Sequence, residues 1–287
     1  MNDAVRIERL GKAFRDFKLN DMTFSLPQGY VMGLVGKNGA GKTTTIRLIL
    51  NMLARDAGAV HVFGMDNIKD EQRIKQDVGV VFDEVFFVES WRVSDVERAL
   101  KGFYSRWSSM AYAGYLQRFG LAADKRVREL SRGMKLKLML AVAMSHEARL
   151  LILDEPTSGL DPVARDELLA ILRGYLSDGE KTVLFSTHIT SDLERIADFI
   201  TVIHDGTVFY TGTKDDLLER YRIVKGGPGD LTDLLLENVI GLERTSAGFS
   251  GLIAASELRH PSARIVTEAP RIDDILVRIS AGDGIRE

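Results

Sequence analysis

Short apolar runs alternate with longer amphipathic stretches along the chain, the pattern of strands buried in a sheet and helices packed on it. Val5 to Leu10, Met22 to Leu26 and Tyr30 to Val35 read as strands, with the turn Pro27–Gly29 separating the last two. TTTIRLILNML then carries apolar residues at helical spacing, and Ala59 to Phe63 reads as a strand. GMDNIKDEQRIKQD gives a turn and a short polar helix, followed by the strand Val78 to Phe82. From about Val85 to Leu130 the texture changes to aromatic-rich helical spacing, which predicts a helical insertion into the sheet. Its FFVESW cluster fits either inner packing or an exposed anchor for a partner helix. LSRGMKLK opens a long apolar-faced helix, Leu150 to Leu153 and TVLFS are further buried-type strands, and Asp161-Pro162 starts another helix with an acid as cap. Strands near Phe199 to Ile203 and Val208 to Tyr210 follow, then a helix over KDDLLERYRIV. Gly226-Gly227-Pro228-Gly229 reads as a linker to a small α/β unit with helix-like DLTDLLLENVI and IDDILVRI and strand-like GLIAA and ARIVTE.

The chemistry concentrates where these strands end. Gly36-Lys37-Asn38-Gly39-Ala40-Gly41-Lys42-Thr43, with Thr44 next, fits GxxxxGK[ST] at every fixed position and lies between a strand and a helix. Glycines let successive N–H groups face phosphate oxygens, the helix N-terminus adds partial positive charge, Lys42 suits the β- and γ-phosphates, and the Thr43 hydroxyl suits Mg²⁺. Asp154 and Glu155 follow the apolar run LLIL, so a buried strand can present one acid to a metal and the next to an attacking water. Asp83 and Glu84 end another strand, as solvated turn residues or as ligand groups at its carboxyl end, and His188 lies just beyond a third, as a structural histidine or a ligand contact. Ser131 caps a helix or helps to form an anion site, and Phe14 is either core or a ring for an adenine face.

Composition narrows the function. The 287 residues are 45% hydrophobic and 28% charged, as in an ordinary globular protein, and a net charge of −3 gives no overall reason to bind nucleic acid. With no cysteine, disulfides, thiol catalysis and thiolate metal sites are excluded, which fits a cytoplasmic setting. No apolar run reaches the ~18 residues that span a bilayer, and MNDAVRIERL is not an export signal.

In this order, GKNGAGKT, LSRGMK, LLILDEP, SGLD (Ser158 to Asp161) and STH (Ser186 to His188) resemble the ATP-binding cassette family, specifically a transporter nucleotide-binding subunit, over about Val5 to Lys225. The resemblance implies an α/β fold of the P-loop NTPase type. It has a RecA-like core, an antiparallel β subdomain and a helical subdomain at about 85–145, all within 1–225, with 226–287 as an accessory or regulatory domain. It implies ATP and Mg²⁺ as cofactors and an ATPase coupled to transport. Phe14 looks like the adenine-stacking aromatic, and Ser131 and Gly133 like signature residues that contact the γ-phosphate on the opposite subunit. Asp154 is similar to the magnesium-linked acid, Glu155 to the catalytic base, Asp161 to the inter-subunit communication residue and His188 to the γ-phosphate switch.

The implied partners are a second nucleotide-binding subunit and a separate transmembrane permease reached through Phe86 to Trp91, which would hold the chain peripherally on the inner face of the cell membrane. The chain departs from the family pattern in two places, at three residues. Arg132 and Met134 replace the commoner Gly and Gln, a variant resembling drug- and peptide-export ATPases. Asp83 stands where Gln is usual, and as a carboxylate it can join Thr43 and Asp154 at Mg²⁺ or act in catalysis, with Glu84 as the alternative for that place. A cassette ATPase working in assembly or regulation without a permease is the alternative.

Overall fold

A computed structural model describes residues 2–258 and 264–282. The first part of the chain forms β1 (Asp3–Ala13), β2 (Lys18–Pro27), β3 (Val31–Val35), α1 (Lys42–Ile49), β4 (Ala57–Val62), β5 (Met65–Asp66), α2 (Glu71–Asp77) and β6 (Val78–Val81). Three helices follow, α3 (Val93–Leu100), α4 (Ser109–Phe119) and α5 (Arg132–Met144). The chain then returns to the sheet as β7 (Leu150–Asp154), α6 (Pro162–Tyr175), β8 (Thr182–Thr187), α7 (Thr190–Ile196), β9 (Phe199–His204) and β10 (Thr207–Thr213). Last come α8 (Lys214–Arg220), β11 (Tyr221–Gly226), α9 (Asp233–Asn238), β12 (Ile240–Thr245), β13 (Gly248–Ala254), β14 (Val266–Glu268) and α10 (Ile272–Gly282).

Three sheets result. β2-β1-β4-β5 is antiparallel, β10-β9-β3-β8-β7-β6 is parallel except for its β10 edge, and β12-β13-β11-β14 is antiparallel. β3, β7 and β8 are buried at every residue, as their uninterrupted apolar runs require of strands covered on both faces. β8 lies between β3 and β7, and its register pairs Val35 with Thr187 and Asp154 with Ser186. The carboxyl ends of three strands from distant parts of the sequence therefore finish side by side. α5 covers the sheet beside β6 with Leu136, Leu138, Met139, Leu140 and Met144 buried. The FFVESW cluster divides between its two readings: Phe87 and Trp91 pack against the core, whereas Phe86 is 66% exposed.

The C-terminal region differs from the sequence expectation. The helix predicted through YRIV stops at Arg220, and Tyr221–Gly226 is instead a strand paired with both β13 and β14. The third sheet thus begins before residue 226, and Gly226 to Gly229 leads out of β11; Gly227 N–H is held by Asp230 at 3.0 Å. Of the strand expected over ARIVTE, Val266–Glu268 forms and Ala263 lies outside the described residues; β12 carried no sequence signal. On α10, Ile272, Ile275 and Ile279 recur at helical spacing, are all buried, and share one core cluster with Leu193 of α7, Val183 and Phe185 of β8 and Leu252 of β13. The cluster makes the C-terminal segment continuous with the sheet that carries the chemistry.

Two expectations about stability follow from this packing. Ile275→Ala removes a fully buried side chain and costs about 2–5 kcal/mol. Because the core is shared, the loss registers at Trp91 and Trp107, the chain's two tryptophans, which both lie between β6 and β7; a denaturant titration followed by their fluorescence shifts to a lower midpoint. The second concerns His146, which is 1% exposed, stacks on Tyr104 at 4.0 Å and donates from Nδ1 to the Gln76 carbonyl at 3.3 Å, while its Nε2 is buried without a partner. Burial pushes this imidazole down to about 4 from the usual 6.5. The unfolded chain therefore takes up the proton first as pH falls: the contribution is full above 6.5 and drains away between 6.5 and 4, amounting to about 3 kcal/mol. Melting temperatures measured across that window fall for the parent, and His146→Phe flattens this part of the profile.

Candidate functional site

The phosphate-loop sequence leaves β3 and enters α1 with Gly41 at φ 115°. A Cβ at Gly36 would stand 2.3 Å from the Ile203 carbonyl oxygen, so the close approach to β9 demands glycine there. Lys37, Asn38 and Gly39 are exposed, Ala40 is buried with its N–H on the Lys37 carbonyl at 3.1 Å, and Thr44 is half-buried. Lys42 is only 5% exposed, so its ammonium needs partners. It donates to the carbonyls of Gly36 at 2.8 Å and Lys37 at 3.2 Å and pairs with Glu155 Oε1 at 3.0 Å.

Asp154 ends β7 almost fully buried, and its Oδ1 accepts from Thr43 Oγ1 at 3.1 Å and from Ser186 Oγ at 2.6 Å. Both bonds fall on the same oxygen, so neither engages Oδ2. Glu155 takes a left-handed φ of 49°, a strained conformation for a residue with a Cβ. That turn sends its N–H to Ser186 Oγ at 3.0 Å and leaves its carboxylate between Lys42 and His188, whose Nδ1 donates to Oε2 at 2.7 Å. Ser186 entered the sequence reading only as part of STH, without a role of its own: its hydroxyl donates to one acid and accepts from the backbone of the next. The signal was the register of β8 against β7, which a one-dimensional reading does not contain.

The other expected residues lie around this centre. Phe14 is 45% exposed and stacks on Phe17 with ring centroids 6.3 Å apart, and Phe17 is the aromatic nearest Gly41. Asp161 caps α6 by accepting from Ala164 N–H at 2.9 Å. Ser131 caps α5, its hydroxyl accepting from Met134 N–H at 3.3 Å. A Cβ at Gly133 would find its nearest neighbour 3.7 Å away, so the chain itself does not require glycine there. Among the described residues, no hydrogen bond or ion pair joins Ser131 or Gly133 to the phosphate loop. The Asp83 carboxylate is bound by the Arg132 guanidinium, and among the described residues no hydrogen bond joins it to Thr43 or Asp154. No group of three His, Cys, Asp or Glu side chains suited to a metal occurs among the described residues. The oxygens of Thr43 and Asp154 nevertheless fit Mg²⁺, which takes one or two protein oxygens and completes its shell with phosphate and water.

Comparisons with known proteins place the chain in a family. Residues 19–158 match the family model described as ABC transporter. The chain is 31% identical over 282 residues to the Nod factor export ATP-binding protein I of Rhizobium leguminosarum bv. viciae, covering 91% of this chain and 89% of that one. It is 32% identical over 229 residues to the ABC transporter ATP-binding protein NatA of Bacillus subtilis (strain 168), covering 76% and 93%. A solved ATP binding subunit of an ABC transporter superposes with a TM-score of 0.68 at 28% identity, over 75% of this chain and 91% of that one. A phosphate loop, two strand-end acids and a histidine joined by hydrogen bonds are thus carried on a fold shared with these proteins, and the chain belongs to the ABC transporter family as an ATP-binding, ATP-hydrolysing subunit.

Proposed function

We propose that two copies of this chain pair head to tail around two ATP molecules, hydrolyse them with Mg²⁺, and drive a separate membrane-spanning permease in export. The observation that carries the reading is the meeting of two networks at the end of β7: Lys42 to Glu155 to His188, and Thr43 to Asp154 to Ser186. Lys42 spends its N–H donors on two carbonyls and Glu155. A phosphate oxygen competes for the same ammonium, and when it takes Glu155's place that carboxylate, still oriented by His188, is free to accept a proton from the attacking water. Thr43 and Asp154 would hold Mg²⁺, which when bound neutralises developing phosphate charge.

Ser131 is exposed at the start of α5 and has no bond to its own chain's phosphate loop, and Gly133 beside it is half-exposed, with only ordinary van der Waals contact awaiting an added Cβ. Both features suit contact with a nucleotide held by a second copy, with Asp161 in the joint between copies. The exposed ring of Phe14 suits an adenine face. No helix among the described residues is long and apolar enough to cross a membrane, so the permease is a separate chain in this reading. Exposed Phe86 and Val88, anchored by Phe87 and Trp91, suit the surface it would grip, which holds the ATPase at the cytoplasmic side of the membrane. Export is supported by the name of the Nod factor export relative and by the LSRGM variant.

Lys42→Ala should weaken ATP binding at least tenfold, because a buried cation leaves the phosphate site; equilibrium titration with a fluorescent ATP analogue checks this, and unchanged affinity contradicts the assignment. Glu155→Gln should bind ATP as tightly or several-fold more tightly, since the carboxylate that competes for Lys42 is gone, while phosphate release falls at least a hundredfold. Light scattering with Mg-ATP should then show a dimer outlasting that of the parent, and a polytopic membrane protein should copurify with the native chain.

A further inference from the structure

Of the three residues that depart from the family pattern in the sequence, Asp83 and Arg132 meet in the fold. Asp83 lies two residues beyond β6, whose Val81 pairs with Leu153 of β7, so Asp83 runs level with Glu155 on the neighbouring strand end. Arg132 is the first residue of α5, and its guanidinium binds the Asp83 carboxylate. The same guanidinium lies over Gly159 at φ 66°, where an added Cβ would stand 3.2 Å from it. One side chain therefore touches the end of β6, the head of α5 and the segment that leads to Asp161. Glu155, Asp83 and Arg132 line one cavity of about 400 Å³ together with Glu84, Glu89 and Lys135.

We propose that Asp83 and Arg132 are paired positioning residues, whose ion pair sets the signature end of α5 relative to the hydrolytic carboxylate Glu155; this rests on the ATPase reading of the site. The charge arrangement supports the role. A helix N-terminus carries partial positive charge and favours acids, yet the first turn of α5 contains no acid and carries Arg132 and Lys135. Asp83 supplies the missing negative charge from another element, so its attraction acts on the helix terminus and the guanidinium together. Both partners are about half exposed, and exposed pairs of this kind bias a population only several-fold. That strength suits a latch that holds α5 in register and lets go when the segment moves.

Charge reversal tests the pair. Asp83→Arg and Arg132→Asp should each lower kcat for Mg-ATP about five- to tenfold, with affinity for a fluorescent ATP analogue within about twofold of the parent. The double swap should return kcat to within about threefold of the parent. Amide exchange over Leu130 to Leu136, measured without nucleotide, should be faster in each single variant and restored in the swap; this readout holds even if the ATPase reading fails, which would show instead as a parent that neither binds nor hydrolyses ATP. Parent-like single variants, or a swap no better than the slower single, overturn the proposal. So does a raised Mg²⁺ requirement confined to Asp83→Arg, which would make Asp83 a metal ligand. If the reversals fail to fold, Asp83→Asn, Arg132→Gln and their double serve: a double no slower than the slower single supports coupling, and independent losses overturn it.

Discussion

The site depends on the alignment of the ends of β3, β8 and β7. Ser186 stands in register with Asp154, and the phosphate loop begins one residue after Val35, the partner of Thr187. Because β8 is the middle strand, its Ser186 hydroxyl can reach Asp154 on one neighbour while the Asp154 carboxylate reaches Thr43 at the head of α1. A buried carboxylate without such donors would be costly to keep charged. Its two hydroxyl partners compensate that burial and at the same time fix where the second oxygen can go. A shift of one strand by one residue would turn these side chains to the opposite face and break the network.

Charge balance around Lys42 adds a second constraint. A nearly buried ammonium and a mostly buried carboxylate are tolerable as a pair, and either alone would be left uncompensated. Glu155 reaches this position only through a left-handed turn immediately after the strand, so local backbone strain is held by the two hydrogen bonds from its N–H to Ser186. Stability and chemistry therefore draw on the same few groups. His188, at the exposed side of Glu155, is the member of the network that solvent and a partner can reach.

The C-terminal segment bears on the site through packing. α10 buries its isoleucine stripe against the cluster that contains α7, and α7 begins two residues after His188. At the other end of α10, the Ser280 carbonyl accepts from Lys37 of the phosphate loop at 3.5 Å. The segment with no chemistry of its own thus touches both the strand-end histidine's helix and the phosphate loop. Its removal would uncover apolar surface on the ATPase core.

By itself the sequence determined the local chemistry: the glycines and Lys42-Thr43 of the phosphate loop, the strand-end acids Asp154 and Glu155, and the caps Ser131 and Asp161, because these depend on residue type and on spacing within a single element. It also determined most strands and helices through their apolar periodicity. Tertiary structure decided what depends on register and on contacts between distant segments. Ser186 became the bridge between two acids, Phe17 came to lie nearer the loop glycine than Phe14, and Asp83 met Arg132 from a distant element. YRIV became a strand because β13 and β14 offered it hydrogen-bonding edges on both sides, a long-range pairing that outweighs the helical signal of the residues before it. An apolar run reports that a segment is buried, and only the assembled sheet settles which neighbours bury it.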